Sequence, residues 1–458
     1  MHGVNEYSRL SGMKTDSKCP TNIWHPCTQM KDLEAHPLLE IERGEGVYLI
    51  DKNGKRYIDA VSSWWVNLFG HCNPKLTNAL KKQADRLEHV IFAGATHQPA
   101  EEVAEGLLAL TPPELNKIFF ADNGSSAVES AMKMSYGYRR NTGNARKNRY
   151  AFLTDGYHGE TLGCLSVCGE TMYADLYGDI MIDNIKVLGP DCFRCPCGKK
   201  RGACSADCFG FMEKALRENS EILTAVLIEP LIQCAGGFKM FPPEYLVKLR
   251  SLTTELDIHL IFDEIAVGFG RTGTMFALEQ AGVCPDMLCL SKGITSGYLP
   301  LSAVLTTDEI FYGFYDDYSA GKAFLHSHSY TGNPLACSVA AETLRIFREE
   351  NVIETNKPKF AHMRKCIEDV FSGHPNVGEI RHTGFVTAVE LVRDRNGNVP
   401  FDSGLRTGFQ IYRKAVEKGA LLRNLGDIIY FMPPYVISRD ETETLVSIAR
   451  ESVREVLG

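Results

Sequence analysis

The sequence predicts an α/β protein: a large domain built on a mostly parallel sheet, plus a smaller α+β domain assembled from both chain ends. Three observations predict it. Short apolar runs alternate with helical stretches through the middle of the chain, as in layered α/β structures. The two ends carry hairpin signals and amphipathic helices instead. At 458 residues and 44% hydrophobic, the chain is long enough for two or three domains with a sizeable core.

Taken in order, residues 1 to about 20 carry no motif and read as a flexible extension. From Gly46 to Asp59 two strand-like runs flank Asn53-Gly54, a β-hairpin signal. Lys117 to Phe120 reads as a strand leading into a helix from Ser125 to about Arg139. Tyr150 to Leu153, Ala225 to Ile228, Ile258 to Phe262 and Met287 to Leu290 read as further strands. A helix opens near Leu335, and a second hairpin spans about Gly384 to Leu391. The expected division is 1–62 and 336–458 for the small domain and 63–335 for the large one, with a cysteine-rich insertion at 192–208. No internal repeat or low-complexity tract is visible.

Lys and Arg total 49 against 57 Asp and Glu, giving a net charge of −8 without a long basic block, which argues against nucleic acid as a partner. No run approaches 18 consecutive apolar residues, and the first residues lack a basic segment followed by an apolar one. Neither a membrane span nor a signal peptide is therefore expected. Several of the 15 cysteines, such as Cys289 and Cys337, sit inside apolar runs as reduced core cysteines do, which points to the cytoplasm.

The most informative residues are Asp263 and Lys292, 29 residues apart, each following a buried-strand run. Parallel neighbouring strands would bring both to one carboxyl-terminal edge. An amine and an acid there suit pyridoxal phosphate: the amine bonds to the aldehyde and the carboxylate keeps the ring nitrogen protonated. A solvated lysine and a strand-end aspartate are the competing reading. Glu229 ends a third strand at the same edge, where open α/β sheets bind ligands. Asp122-Asn123-Gly124-Ser125-Ser126 lies between strand and helix and suits a phosphate, or is an ordinary helix cap. Tyr157 in Tyr157-His158-Gly159 can stack on a flat ring or merely cover the sheet edge.

Gly268 to Gly273 matches G-x-G-x-x-G, but an Asp-Glu pair follows the strand and no helix opens on the third glycine, so a nicotinamide site is rejected. Arg271 in that loop reads as a residue meeting substrate or cofactor. Ser329 to Pro334 is turn-rich, with hydroxyls that can complete a phosphate site across a subunit boundary or cap the next helix. Cys192, Cys195, Cys204 and Cys208 have zinc-like spacing but leave Cys197 over, so a loosely packed insertion without metal is the favoured reading.

Asp263-Glu264-Ile265-Ala266-Val267-Gly268-Phe269-Gly270-Arg271-Thr272-Gly273, followed by Lys292-Gly293, resembles the class III (ω-) aminotransferases of PLP fold type I. Trp24-His25-Pro26, Ser62-Ser63-Trp64-Trp65, Thr96-His97, Gly156-Tyr157-His158-Gly159 and Tyr430-Phe431-Met432-Pro433-Pro434-Tyr435 are similar to the branch that aminates 8-amino-7-oxononanoate in biotin biosynthesis. The resemblance runs from about Ile23 to the end. It implies pyridoxal 5′-phosphate and a homodimer with shared active sites. It makes Lys292 the cofactor-bonded lysine and proton carrier, Asp263 the pyridinium partner, and Tyr157 the stacking ring. Gly124 and Ser125 would hold the phosphate, joined by the partner's Ser329. Trp64, Tyr157, Arg271, Arg423, Ser327 and Tyr430 would meet substrate, Arg423 as a carboxylate clamp.

Two departures leave the amino donor open between S-adenosylmethionine and lysine. Cys27 follows His-Pro, where adenosylmethionine users have tyrosine and lysine users phenylalanine, and Glu160 replaces a usual aspartate. Another ω-aminotransferase acting on a diamine or ω-amino acid, or an aminomutase, are the alternatives.

Overall fold

The computed structural model describes residues 21–458, so the predicted extension lies outside the described residues. Near the start, β1 (Ile41–Glu45), β2 (Tyr48–Asp51) and β3 (Arg56–Asp59) form an antiparallel meander. Asp51 Oδ1 accepts the amides of Asn53 (2.9 Å) and Lys55 (3.0 Å), and Gly54 takes a φ of 82°, so the Asn-Gly turn forms where its chemistry predicts.

The large sheet contains β4 (Leu115–Ala121), β5 (Arg149–Leu153), β6 (Ile185–Val187), β7 (Leu223–Ile228), β10 (His259–Asp263), β11 (Met287–Leu290) and β12 (Ser302–Thr307); β8 (Ile232–Gln233) and β9 (Lys239–Met240) make a separate ribbon. Its order is β4-β12-β11-β10-β7-β5-β6. Only β12 runs against its neighbours; the other six are parallel to one another. Every residue of β7, β10 and β11 is buried, because helices cover both faces. Leu227, Ile261 and Cys289 pack with Ala127, Val128 and Ala131 of α3 (Gly124–Asn141). Their neighbours Val226, Leu260 and Leu288 point to the opposite core, where Leu246 and Leu249 of α5 (Glu244–Glu255) lie. Between these, α1 (Pro74–Ala84), α2 (Gln98–Leu108) and α4 (Phe209–Asn219) complete the middle of the chain. Sequence patterning missed β6, only three residues long, and β12, whose apolar run Ala303-Val304-Leu305 is short and flanked by hydroxyl residues.

Toward the end, α6 (Pro334–Glu349) packs on α1 and α2, followed by α7 (Val352–Phe371), α8 (Thr407–Glu417) and α9 (Arg439–Leu457). The strands β13 (Val377–Thr383), β14 (Val386–Leu391), β16 (Asn424–Leu425) and β17 (Ile428–Phe431) form one antiparallel sheet, while β15 (Ala420–Leu421) crosses to pair with β3. The two chain ends are thereby hydrogen-bonded together, Ala420 opposite Ile58. Among the described residues no helix is long and apolar enough to cross a membrane.

Candidate active site

The carboxyl ends of β4, β5, β7, β10 and β11 open on a cavity of about 400 Å³. Asp263 is the last residue of β10 and sits opposite Cys289, so Lys292 emerges one strand over at the same edge. Lys292 is half-buried in the cavity wall, with Nζ 4.9 Å from the centre of the Trp65 ring. Burial lowers its pKa; Asp263, Cys234 and Glu229 oppose this without cancelling it. An amine so placed is more readily neutral, hence nucleophilic.

Asp263 is held from two sides. Its Oδ1 accepts the Ile265 amide at 3.0 Å, and its Oδ2 lies 2.8 Å from His158 Nδ1. Burial works against a charged His158, yet the hydrogen bond and charge of Asp263, with Glu229, hold its pKa above the ordinary value. Glu229 in turn accepts the amides of Tyr157 (3.0 Å) and Cys234 (2.9 Å); burial pushes it up to about 7, His158 opposing and Asp263 adding. The two strand-end acids both act on His158, to which sequence reasoning gave no task. Its place beside Tyr157 was the available signal.

Across the cavity α3 begins. Asn123 Oδ1 caps it by accepting the Ser126 amide at 3.1 Å, which leaves the first-turn amides of Gly124 and Ser125 without helical partners. Gly159, at a φ of 116°, lets its loop abut this turn; a Cβ there would stand 2.1 Å from Ser125 Oγ. Asp122 lends one oxygen to His328 Nδ1 (2.9 Å), while its Oδ1 is buried without a partner. The site thus joins an anion-binding helix start, a half-buried amine and a buried carboxylate.

A second, larger chamber adjoins the first. It is lined by Trp64, Arg423, Cys27, Glu160 and Tyr173, among others. The Arg423 guanidinium lies 4.2 Å from the centre of the Trp64 ring. Tyr157 lines the first cavity and donates its hydroxyl to Glu160 Oε1 of the second at 2.8 Å. Burial raises the pKa of Cys27, and Glu160 adds to the rise while Arg423 opposes it.

The backbone at Ser62–Trp65 makes this double arrangement. Its four φ angles are 51°, 46°, 73° and 74°, a single left-handed turn built without glycine. Such a turn costs about 1–2 kcal/mol per residue. It is held by Asp59, whose Oδ1 accepts the Ser63 amide (2.9 Å) and whose Oδ2 accepts the Ser63 hydroxyl (2.7 Å), and by Ser62 Oγ donating to the Met432 carbonyl at 2.7 Å. Trp65 faces Lys292 and donates to the Tyr430 hydroxyl at 3.2 Å, while Trp64 faces Arg423.

Other predicted residues lie elsewhere. Arg271, expected at the substrate, lines neither cavity: it is buried, donating to the carbonyls of Pro433 (2.8 Å) and Asn67 (3.1 Å). Tyr430 is fully buried behind Trp65 and reaches the site only through it. Ser327 and Ser329 are exposed and outside both cavities. The cysteines of the 192–208 loop lie outside both as well.

Comparison with known proteins agrees with this geometry. The family model for "Aminotransferase class-III" matches residues 30–453. An Aquifex aeolicus protein named adenosylmethionine-8-amino-7-oxononanoate aminotransferase is 43% identical over 438 residues, 95% of this chain and 96% of that one. The crystal structure of the enzyme of that name from Methanocaldococcus jannaschii superposes with a TM-score of 0.90 at 36% identity, covering 95% of this chain and 98% of the other. The omega transaminase from Pseudomonas jessenii in complex with PMP gives 0.90 at 31% identity, over 96% and 97%. A match across nearly the whole length, with an amine and an acid at adjacent strand ends, places the chain among the class III aminotransferases.

Proposed function

We propose that this aminotransferase uses pyridoxal 5′-phosphate to convert 8-amino-7-oxononanoate to 7,8-diaminononanoate in cytoplasmic biotin biosynthesis. One observation carries the reading: Lys292 and Asp263 stand at one cavity, at adjacent strand ends, in a chain that matches the Aquifex aeolicus protein over 95% of its length. The bound cofactor supplies an aldehyde for amine capture and a protonated ring that withdraws electrons from the adjacent carbon. Lys292 would supply the amine that holds the cofactor and the base that moves a proton at the nitrogen-bearing carbon. Asp263 keeps the ring nitrogen protonated, and His158 and the Ile265 amide fix its carboxylate. The Gly124 and Ser125 amides would hold the phosphate, beside the Gly159 loop that packs too closely on Ser125 to admit a side chain. Tyr157 would stack on the ring, its hydroxyl tethered to Glu160.

Trp64 and Arg423 serve the substrates. The acceptor and an amino-acid donor each carry a carboxylate, which the Arg423 fork can bind bidentately. A homodimer belongs to the proposal. Ser329 and Ser327 are exposed and outside the cavities of their own chain, which suits residues that complete a partner's site. S-adenosylmethionine is the proposed donor and lysine the alternative, because Cys27 matches neither pattern. A general ω-transaminase is the second reading, supported by the likeness to the Pseudomonas jessenii enzyme.

Two experiments test this. Purified protein should absorb as a lysine-bound pyridoxal enzyme, and Lys292→Ala should lose that band; a protein that takes up no cofactor would overturn the chemistry. The gene should rescue a biotin-requiring strain lacking the diaminononanoate step. Failure despite good expression, with transamination of simple amines intact, would favour the second reading. Half-reactions with S-adenosylmethionine or lysine then identify the donor.

A further inference from the structure

Tyr157 stands in a segment, residues 154–161, that is neither helix nor strand. A ring that must lie flat against another cannot hold its plane from such a segment unless the backbone is tied down. The ties come from the β8–β9 ribbon and its turn. Gln233 donates Nε2 to the Thr154 carbonyl at 2.7 Å, and Lys239 pairs with Asp155 at 2.7 Å. Gly236 presses so close that a Cβ on it would stand 1.9 Å from the Asp155 carbonyl oxygen. None of these three ties is to Tyr157 itself.

Glu229, the residue after β7, makes that last tie. One of its oxygens, Oε1, accepts the Tyr157 amide at 3.0 Å, and the other, Oε2, accepts the Cys234 amide of the ribbon at 2.9 Å. At the far end of the same tyrosine, the hydroxyl donates to Glu160 Oε1 at 2.8 Å, and the ring meets Tyr173 edge-on at 5.1 Å. Backbone and hydroxyl of Tyr157 are thus each held by a carboxylate. Glu229 lines the first cavity and is buried, and neither the amine nor the proton steps assigned to Lys292 use it.

The side-chain type matters as much as the place. Burial works against the charge of Glu229 and Asp263 adds to this, while His158 and the two amides oppose it. A carboxylate accepts at both oxygens. Glutamine, though nearly the same shape, accepts at one and would turn an NH2 group toward the other amide, leaving a buried N–H unpaired. Aspartate keeps both acceptors but is one methylene short of spanning the two segments.

We propose that Glu229 is a positioning residue, joining the Tyr157 segment to the β8–β9 ribbon and so fixing the ring plane that the cofactor meets; the inference rests on the cofactor assignment. Pyridoxamine 5′-phosphate is the probe. It has no aldehyde to bond to Lys292, so its affinity reports fit alone. Titrated into full-length enzyme stripped of cofactor, it should bind Glu229→Gln about tenfold more weakly than wild type. In a Tyr157→Leu background the same substitution should cost almost nothing, because the residue it positions is gone. Glu229→Asp should bind as weakly as Glu229→Gln, and it completes the same cycle if the glutamine variant does not fold. Equal penalties in both backgrounds overturn the proposal. An aspartate variant as tight as wild type does so too, since charge alone would then suffice. Wild type that binds no probe fails the cofactor assignment and this proposal together, whereas additive penalties on a wild type that binds well fail this proposal alone.

Discussion

Glu264, next to the catalytic candidate Asp263, is fully buried and accepts the amides of Ala277 (2.6 Å) and Leu278 (2.8 Å). Burial pushes its pKa up to about 8 from an ordinary 4.5, the two amides opposing. The folded chain then keeps a proton that the unfolded chain releases above about 4.5. Stability must fall as pH rises through that window, by up to about 1.4 kcal/mol per pH unit. Glu264→Gln should melt lower throughout but show a flatter pH profile between about 4.5 and 8; an unchanged slope would assign the effect elsewhere. Asp263→Asn should fold normally and lose about 100-fold or more in kcat, measured with saturating cofactor. At this scale Asp263, Lys292 and Glu229 were legible together, because three charged groups at three strand ends of one sheet edge say more than any one of them, each of which has an ordinary reading as a strand-end residue. His158 was not, since its value comes from a partner 105 positions away in sequence.

Among the elements, the left-handed turn at Ser62–Trp65 was illegible, because no side-chain pattern announces four positive φ angles in residues other than glycine. The strain sits beside the candidate site, where such strain tends to gather. Ser63→Ala and Ser63→Gly both lose the hydroxyl bond to Asp59, but only glycine escapes the left-handed penalty. Ser63→Gly should therefore be more stable than Ser63→Ala by about 1 kcal/mol in urea unfolding. Equal stabilities would mean that the turn relaxes. The strands β7, β10 and β11 were readable for the opposite reason, being apolar on both faces.

Over the whole molecule, Arg271 links distant parts of the chain. Its fork joins the carbonyls of Asn67 and Pro433, and its guanidinium lies 5.0 Å from the centre of the Tyr435 ring. A motif that reads as a ligand loop is here a buried fastener, since glycines that admit a ligand equally admit another stretch of backbone. Arg271→Lys should cost about 2 kcal/mol of stability, because lysine cannot hold both carbonyls in one plane, while KM for the oxo-acid stays nearly unchanged. A large rise in KM without loss of stability would return Arg271 to the substrate. The α/β class was legible from alternation alone. The pairing of β15 with β3 was not, because contacts between residues some 360 positions apart leave no local trace.

The reversed strand β12 has a consequence for motion. After β11 the chain makes the 3-10 turn Lys292–Thr295 and then returns into the same sheet as β12. The 291–301 segment is thus the tip of a hairpin, its base tied by Ser291 Oγ to the Leu301 carbonyl at 2.8 Å. The amides of Ile294, Ser296 and Tyr298 are bonded within it. Such a tip opens only when its two ladders part. In hydrogen–deuterium exchange these amides should be replaced about as slowly as those of β11 itself, and well after those of the Asp155–Gly159 loop. The lysine's backbone is then a fixed post, and all the travel its chemistry requires belongs to the side chain.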